Sequence, residues 1–464
     1  MGTTETLVNF VMDTNYDDFP EGVGVATKDL LLDCLGAMLF GVREEASQMV
    51  IRYAKASGGA PEVGVVAGGF KTSLENAAFV NGTLTHSAEL EAIGVFGIDP
   101  PGFGNPQHII AAALSIGDKL NLSGKQVIEG IALGVEFQAR FSRGCVGPMM
   151  RGFCPLSLYG PPAIAVMASK MMGLSKDQAR MACGGAMSWS SGFFRQMGTM
   201  LHYLEAGIGA RNGVTAALLA QEGITADPNL IEGEWGFCEL FSPGNYDLDL
   251  MTEGLGDPFL IHSPGIRMKQ HSCCAAQHLT IEVLTRLLRD NGVQFEDVEN
   301  VEIHINKHTA DLLRPDLPSS TSPRDGAETR FSVHHSHAVV LADGGTSFRA
   351  FTDVGASAPK YLEARDRIKV VIGEDLGEGR VVLNLKDGRS FSGGRETLNE
   401  DPKGWPSNPF TRDELIARHE SLARDVLSPK QIQRSVDLVL GLENVADVSE
   451  LMELATFGDV AVAA

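Results

Sequence analysis

Positive charge is scarce in this sequence of 464 residues. Its 38 lysine and arginine residues face 59 aspartate and glutamate residues, which gives a formal net charge of −21 at pH 7. Such a charge repels phosphate backbones and anionic lipid surfaces, so we expect neither nucleic acid nor a membrane as a partner. An acidic substrate would need a local basic pocket, because the field of the whole protein opposes its approach.

Cysteine is sparse and irregularly placed. There are seven cysteines, an odd number, with no CxxC spacing, and Cys273 and Cys274 are adjacent. This pattern is typical of reduced thiols in a cytoplasmic protein. No basic segment followed by an apolar one opens the sequence, so no signal peptide is expected. We therefore predict a cytoplasmic localisation.

The sequence also lacks a long apolar run and the common cofactor motifs. The most apolar stretch, residues 155–172, is broken by Pro161 and Pro162 and does not fit a membrane span. No Gly-x-Gly-x-x-Gly or P-loop motif follows a strand pattern. His334, His335 and His337 are close together, but no second cluster of ligands accompanies them. We predict that the protein uses neither a metal nor another cofactor.

The first half of the chain has the pattern of helices. The whole chain of 464 residues is longer than one hydrophobic core usually spans, so two domains are expected. Residues 26–41 are apolar on nearly all sides, which predicts a buried helix. Capping boxes, in which a Ser or Thr precedes a Glu or Gln by three residues, predict helix starts at Ser123, Ser175, Thr411 and Ser428.

Strand patterns begin only at about residue 295. Residues 298–305 and 367–372 alternate as strands, and residues 380–391 predict a hairpin with Asp387 and Gly388 at its turn. A helix is predicted over 277–291 and a short helical turn over 361–365. These elements predict an α+β domain inserted into a helical one, because helical patterns return after Trp405.

Polar groups and glycines are concentrated in residues 198–213. This stretch contains His202, Tyr203, Glu205 and Arg211 together with four glycines. Glycine at this density lets the backbone approach either a ligand or another helix. The polar groups therefore line a cleft, or they are satisfied groups at a helix–helix contact; the stretch alone leaves both interpretations open.

The segments Gly198-Thr199-Met200 and Gly207-Ile208-Gly209-Ala210-Arg211-Asn212-Gly213 resemble the central signature of the MmgE/PrpD family. The resemblance extends from about Asp33 to about Leu440. It implies a mainly α plus α+β fold of two domains: an all-helical domain of residues 1–266 and 405–464, and an α+β lid domain of residues 267–404. It also implies a homodimer formed through the helical domain, with the lids outward.

Two family histidines are replaced. Asn105 stands at the histidine of a Gly-His-Pro motif, where it can orient a carboxylate but cannot carry a proton at neutral pH. His108, three residues on, either substitutes for it or only begins the helix predicted over 109–120. Cys154 stands at the histidine of a Phe-His-Pro motif. It is an acid or base only with a lowered pKa, and otherwise a small buried residue.

The central stretch is altered as well. His202 replaces a lysine of the family and Glu205 replaces a histidine three residues later, so the two would share a helical face. Lys269 matches the lysine of a Lys-x-x-Pro-x-Cys motif, in which Ser272 takes the place of proline. The resemblance thus implies catalytic candidates at His202, Lys269, Tyr203, Glu205, Cys154, His108 and His335, the last of which replaces a tyrosine.

The resemblance also implies the substrate and the chemistry. Asn105, Arg211 and Glu89 are the expected substrate-binding residues, in a cleft between the domains. The family removes a proton, or CO2, next to a carboxylate without a cofactor, which needs cationic groups and a matched acid or base. We expect a cofactor-independent lyase, a dehydratase or decarboxylase, acting on a small carboxylic or polycarboxylic acid. An isomerase or epimerase in the same pocket is the alternative, and a metabolite-binding pseudoenzyme is a third.

Overall fold

The computed structural model describes residues 2–373 and 379–458. The chain forms two compact units. The helical unit comprises Met1–Phe193, Tyr203–Met268 and Phe410–Ala464, and the α+β unit comprises Phe194–His202 and Lys269–Pro409. The elements are mainly helices with small sheets, which confirms the predicted fold class.

Helices make up nearly all the regular structure of the helical unit. They span Thr3–Asp13, Val23–Gly41, Glu45–Ser57, Leu74–His86, Gln107–Leu120, Gly124–Gly144, Gly147–Met150, Pro155–Met171, Lys176–Met187, Met200–Gln221, Phe237–Phe241, Asp249–Thr252, Arg412–Ala423, Pro429–Leu440 and Ser449–Thr456. Two small antiparallel sheets accompany them, formed by Val63–Gly64 with Lys71–Thr72, and by Gly102–Phe103, Gly94–Val95 and Ile266–Arg267.

The helix Val23–Gly41 is buried on almost all sides, as its apolar sequence predicts. Its one buried carboxylate, Asp33, accepts a hydrogen bond from Nε of Arg418 at 2.7 Å. A buried carboxylate is less costly when it is paired in this way, so the contact with Arg418 supports a structural role for Asp33. The four predicted capping boxes are all present, with Ser123, Ser175, Thr411 and Ser428 as the N-caps.

A four-stranded sheet forms the centre of the α+β unit. Its strands lie in the order Ile368–Gly373, Val298–Asn306, Arg380–Leu385 and Ser390–Gly394. The first two are parallel, and the other pairs are antiparallel. The helices of this unit span His278–Asp290, Lys307–Leu313, Pro318–Thr321, Gly326–Thr329, Val333–Asp343, Asp353–Ala356 and Pro359–Arg365. The predicted strands, hairpin and helices between residues 277 and 391 are thereby confirmed.

Glycine fixes the position of the helix Met200–Gln221, which contains most of the central polar stretch. A Cβ atom added at Gly207 would lie 2.2 Å from the carbonyl oxygen of Phe79, and one at Gly213 would lie 2.6 Å from Cβ of Ile164. These glycines therefore let this helix approach the helices Leu74–His86 and Pro155–Met171 closely. For Gly207 and Gly213 the structure supports the helix–helix interpretation.

In the part of the chain that the structure describes, no helix combines the length and the apolar character needed to cross a bilayer. All seven cysteines are buried free thiols.

Candidate functional site

The helical unit buries a group of ionisable side chains at the end of the helix Leu74–His86 and just after it. Nε2 of His86 lies 3.4 Å from Oε2 of Glu89 and 3.5 Å from Oε1 of Glu91. All three residues are at most 3 % exposed. Glu89 has a φ of +52°, in the left-handed region that non-glycine residues rarely adopt. Such conformations cluster at functional sites, so we name His86, Glu89 and Glu91 the acidic cluster and treat it as a site candidate.

Asn105 and Tyr203 contact the acidic cluster. Nδ2 of Asn105 donates a hydrogen bond to Oε1 of Glu91 at 3.2 Å. The ring of Tyr203 meets the ring of His86 edge to face, with 5.7 Å between the centroids. Asn105 therefore orients a carboxylate, as its side-chain amide allows. The carboxylate that it orients in this structure is that of Glu91, a residue of the protein itself.

Glu205 and Cys154 form a second buried pair of the helical unit. The backbone N–H of Phe193 donates to Oε1 of Glu205 at 3.0 Å. Burial raises the pKa of the Cys154 thiol well above its usual value, and the nearby carboxylate of Glu205 raises it further. Cys154 therefore keeps its proton at neutral pH. Of the two interpretations of this position, a small buried residue is favoured over a catalytic acid or base.

His108 is the second residue of the helix Gln107–Leu120. Its imidazole occupies space left by Gly160, where an added Cβ atom would lie 2.2 Å from Nε2. Burial lowers the pKa of His108 to about 3, and the neighbouring His86 acts in the same direction. His108 is thus neutral near pH 7, so a role as a proton carrier there is disfavoured.

Arg211 lies on the helix Met200–Gln221. Its guanidinium group stacks over the ring of Phe79, with 5.3 Å between its central carbon and the ring centroid. Its expected role in binding an anion stays a prediction.

His202, in the first turn of the helix Met200–Gln221, and Lys269 both belong to the α+β unit, and both are almost completely buried. The ring of His202 packs edge to face on Phe331 at 5.3 Å. The preceding residue, Arg330, is fully buried, and its carbonyl oxygen accepts hydrogen bonds from the N–H of Cys274 at 2.9 Å and from Nε2 of Gln277 at 3.0 Å. These bonds tie the segment after Lys269 to the segment that supports His202.

Two histidines of the helix Val333–Asp343, His335 and His337, form internal hydrogen bonds. Nε2 of His335 donates to the carbonyl oxygen of Ala350 at 2.8 Å, and burial lowers its pKa to about 4. In His337, Nδ1 lies 2.8 Å from the carbonyl oxygen of Val333 and Nε2 lies 3.0 Å from Oγ1 of Thr280. Because His335 is neutral at pH 7, a structural role fits it better than the predicted catalytic one.

Sequence reasoning missed His86, Glu91 and Arg330 as site candidates. The signal for the first two was available, since a histidine and two glutamates occur within six residues, 86–91. Arg330 carried no such signal, because nothing in its neighbourhood distinguishes a fully buried arginine from a surface one.

Together these observations define a class: a two-unit protein in which an α+β insertion interrupts a helical unit, with buried acid–base residues in both units. Comparison with known proteins gives the family. The MmgE/PrpD N-terminal domain matches residues 5–249, and the MmgE/PrpD C-terminal domain matches residues 271–444. The chain belongs to the MmgE/PrpD family, as its sequence motifs predict.

Several curated relatives are similar to this chain over nearly its full length. A cis-aconitate decarboxylase of Aspergillus terreus is 25% identical over 481 residues, which cover 98% of this chain and 96% of the relative. The cis-aconitate decarboxylase-like protein oryM of Aspergillus oryzae is 27% identical, with 97% and 96% covered. The human cis-aconitate decarboxylase is 22% identical, with 97% and 94% covered.

Proposed function

We propose that this protein is a lyase that acts on a small carboxylic or polycarboxylic acid by proton transfer next to a carboxylate, without a cofactor. The observation that carries the proposal is the similarity to cis-aconitate decarboxylases across both family domains. Decarboxylation and dehydration share their first requirement, which is to stabilise negative charge as a bond next to a carboxylate breaks. The proposal covers both reactions.

Lys269 and His202 receive different roles in this proposal. Lys269 is buried, and an ammonium group in such surroundings attracts a carboxylate far more strongly than one in water. His202 carries an imidazole, a group that can accept and return a proton, and its ring packs edge to face on Phe331. We therefore assign substrate binding to Lys269, with Arg211 as a second cation, and proton transfer to His202. Tyr203 and Glu205 follow on the same helix as a donor and an acceptor.

The first experiment is a screen for the reaction. Purified protein is incubated in D2O with unsaturated and hydroxylated di- and tricarboxylates, cis-aconitate among them, and the products are read by NMR. A lyase produces CO2 or a new alkene. Incorporation of deuterium without loss of a group indicates the alternative, an isomerase or epimerase. Neither change with any acid, despite binding, indicates a metabolite-binding protein and contradicts the proposal.

The same assay tests cofactor independence and residue roles. Activity should survive a chelator; loss that one divalent ion restores would contradict this part. His202→Ala should lower kcat by about 10²–10⁴-fold with little change in KM, as for the loss of a general acid or base. Lys269→Ala should mainly raise KM. A fully active His202→Ala variant would remove His202 from the mechanism.

A further inference from the structure

We propose that His271, Glu282 and Thr346 form a clamp that positions the segment carrying Lys269, and that binding of the anionic substrate depends on this clamp. The inference deepens the proposed function and rests on it for the role of Lys269. The three residues belong to the α+β unit, and none of them was a site candidate from the sequence.

The segment needs an external support. Residues 268–274 form neither a helix nor a strand, yet Lys269 within them is almost fully buried. A helix or strand fixes a side chain through a regular ladder of backbone hydrogen bonds, and an irregular segment has no such ladder. A binding group is effective only when neighbouring contacts hold it in place. The contacts made by the residues next to Lys269 therefore contribute to where its side chain lies.

His271 provides such a contact two residues after Lys269. Its Nδ1 atom lies 2.6 Å from Oγ1 of Thr346, and its Nε2 atom lies 2.7 Å from Oε1 of Glu282. Glu282 is on the helix His278–Asp290, and Thr346 follows the helix Val333–Asp343. One imidazole thus links the Lys269 segment to two separate elements. An imidazole held by a carboxylate is a common device for fixing ring orientation.

The far end of the segment has further contacts, one of which is with His271 itself. The rings of His271 and His278 meet edge to face with 4.9 Å between centroids, and Nε2 of His278 lies 3.3 Å from the carbonyl oxygen of Cys273. The N–H of Cys274 donates to the carbonyl oxygen of Arg330 at 2.9 Å. His271 therefore supports the segment both at this end and on the side of Lys269.

His271 is a positioning residue and not a catalytic one. Both of its ring nitrogens are engaged by protein groups, and the residue is only 5 % exposed. It therefore acts on the substrate only through the backbone that leads to Lys269.

The test uses Thr346→Val, which keeps the side-chain shape and removes the hydroxyl group, and Thr346→Ser, which keeps the hydroxyl group. In the full-length protein, Thr346→Val should raise KM by about tenfold with little change in kcat. The separate variant Thr346→Ser should have a KM near the wild-type value. A residue that matters only for folding would lower the amount of active enzyme and leave KM unchanged. An unchanged KM in Thr346→Val therefore overturns the proposal.

A double variant adds a readout specific to Lys269. If the clamp acts through Lys269, then Lys269→Ala with Thr346→Val should have the same KM as Lys269→Ala alone, because the positioned group is already gone. Two independent effects would instead multiply, and that result would contradict the clamp.

Hydrogen exchange separates this inference from the proposed function, because it needs no substrate. Thr346→Val should exchange the amides of residues 268–274 faster than wild type and Thr346→Ser do. If this holds while the wild type transforms no acid, the clamp stands and the proposed function fails. Unchanged exchange in this segment overturns the clamp whatever the activity.

Discussion

The side-chain amide of Asn105 donates a hydrogen bond to the carboxylate of Glu91 across 3.2 Å. Glu91 also lies 3.5 Å from Nε2 of His86, so one carboxylate links an amide and an imidazole in a buried place. The amide supplies a hydrogen bond without a charge or a proton of its own. The acidic cluster is therefore held by a group that pH does not change.

Replacing Asn105 tests this arrangement. Asn105→Asp places a second carboxylate against Glu91, and like charges at this distance oppose ionisation of both. We expect kcat/KM to fall by at least about tenfold at pH 8 and to recover partly at lower pH, where one carboxyl group is protonated. Asn105→Ala is the matched control, which loses the hydrogen bond without adding charge. A pH–rate profile of Asn105→Asp that matches wild type would contradict this role for Asn105.

The reactivity of the cysteines follows from their burial. All seven are buried free thiols, and burial raises the pKa of Cys34 and of Cys154 well above the usual value. A protonated buried thiol is a poor nucleophile. We expect no fast reaction of the native protein with a disulfide reagent at pH 8, and seven equivalents after unfolding. Rapid modification that Cys154→Ser abolishes would show that Cys154 is a reactive group.

Buried neutral histidines make the protein sensitive to acid. Burial lowers the pKa of His335, His337 and His419 to about 4, whereas an unfolded histidine titrates at about 6.5. Between these values the unfolded chain binds protons that the folded protein does not. The contribution to stability is fully present above about pH 6.5 and is lost as the pH falls towards 4, with a slope of up to about 1.4 kcal/mol per pH unit for each histidine.

Denaturant unfolding between pH 7 and pH 5 checks this prediction. His419→Gln removes one of these groups, so the free energy of unfolding of the variant should fall less steeply with decreasing pH. The difference in slope should be up to about 1.4 kcal/mol per pH unit, which corresponds to one proton. The carboxyl groups that titrate in the same range are common to both proteins and cancel in the comparison. Equal slopes would mean that His419 does not remain neutral in the folded state.

Gly207 is predicted to be intolerant of a side chain. A methyl group there would lie 2.2 Å from the carbonyl oxygen of Phe79 and 2.3 Å from Oγ1 of Thr83. Gly207→Ala should lower the free energy of unfolding by about 1–3 kcal/mol, the usual cost of overpacking. The control is Gly185→Ala, where no atom lies within 4 Å and the helix Lys176–Met187 should gain up to about 1 kcal/mol. A midpoint of denaturation for Gly207→Ala equal to that of the wild type would contradict the close contact at Gly207.

The sequence predicted those elements that carry a strong local pattern. The alternation of residues 298–305 and the capping box at Ser123 each depend on neighbours within a few positions, and both appear as predicted. The paired strands Val63–Gly64 and Lys71–Thr72 were not predicted, because two residues are too short for any periodicity.

The candidate site was less predictable, because its contacts join distant positions. His271 meets Glu282 and Thr346, which are 11 and 75 residues away along the chain. Glu91 approaches His86 after Glu89 adopts a positive φ, a conformation usually associated with glycine. The residue types of positions 86–91 indicate a cluster but not its geometry, and those of His271, Glu282 and Thr346 do not indicate their contacts. Motif resemblance located Asn105 and Cys154, but it could not give their partners.

The close packing of the helix Met200–Gln221 at Gly207 and Gly213 limits how the substrate specificity of this protein can evolve. Tyr203 and Glu205 lie four and two residues before Gly207 on the same helix, so a shift of the helix large enough to move them would drive backbone atoms together. New substrate preferences should therefore arise by exchange of individual side chains. Laboratory selection for altered specificity would then recover substitutions at positions 203 and 205 and leave the glycines intact.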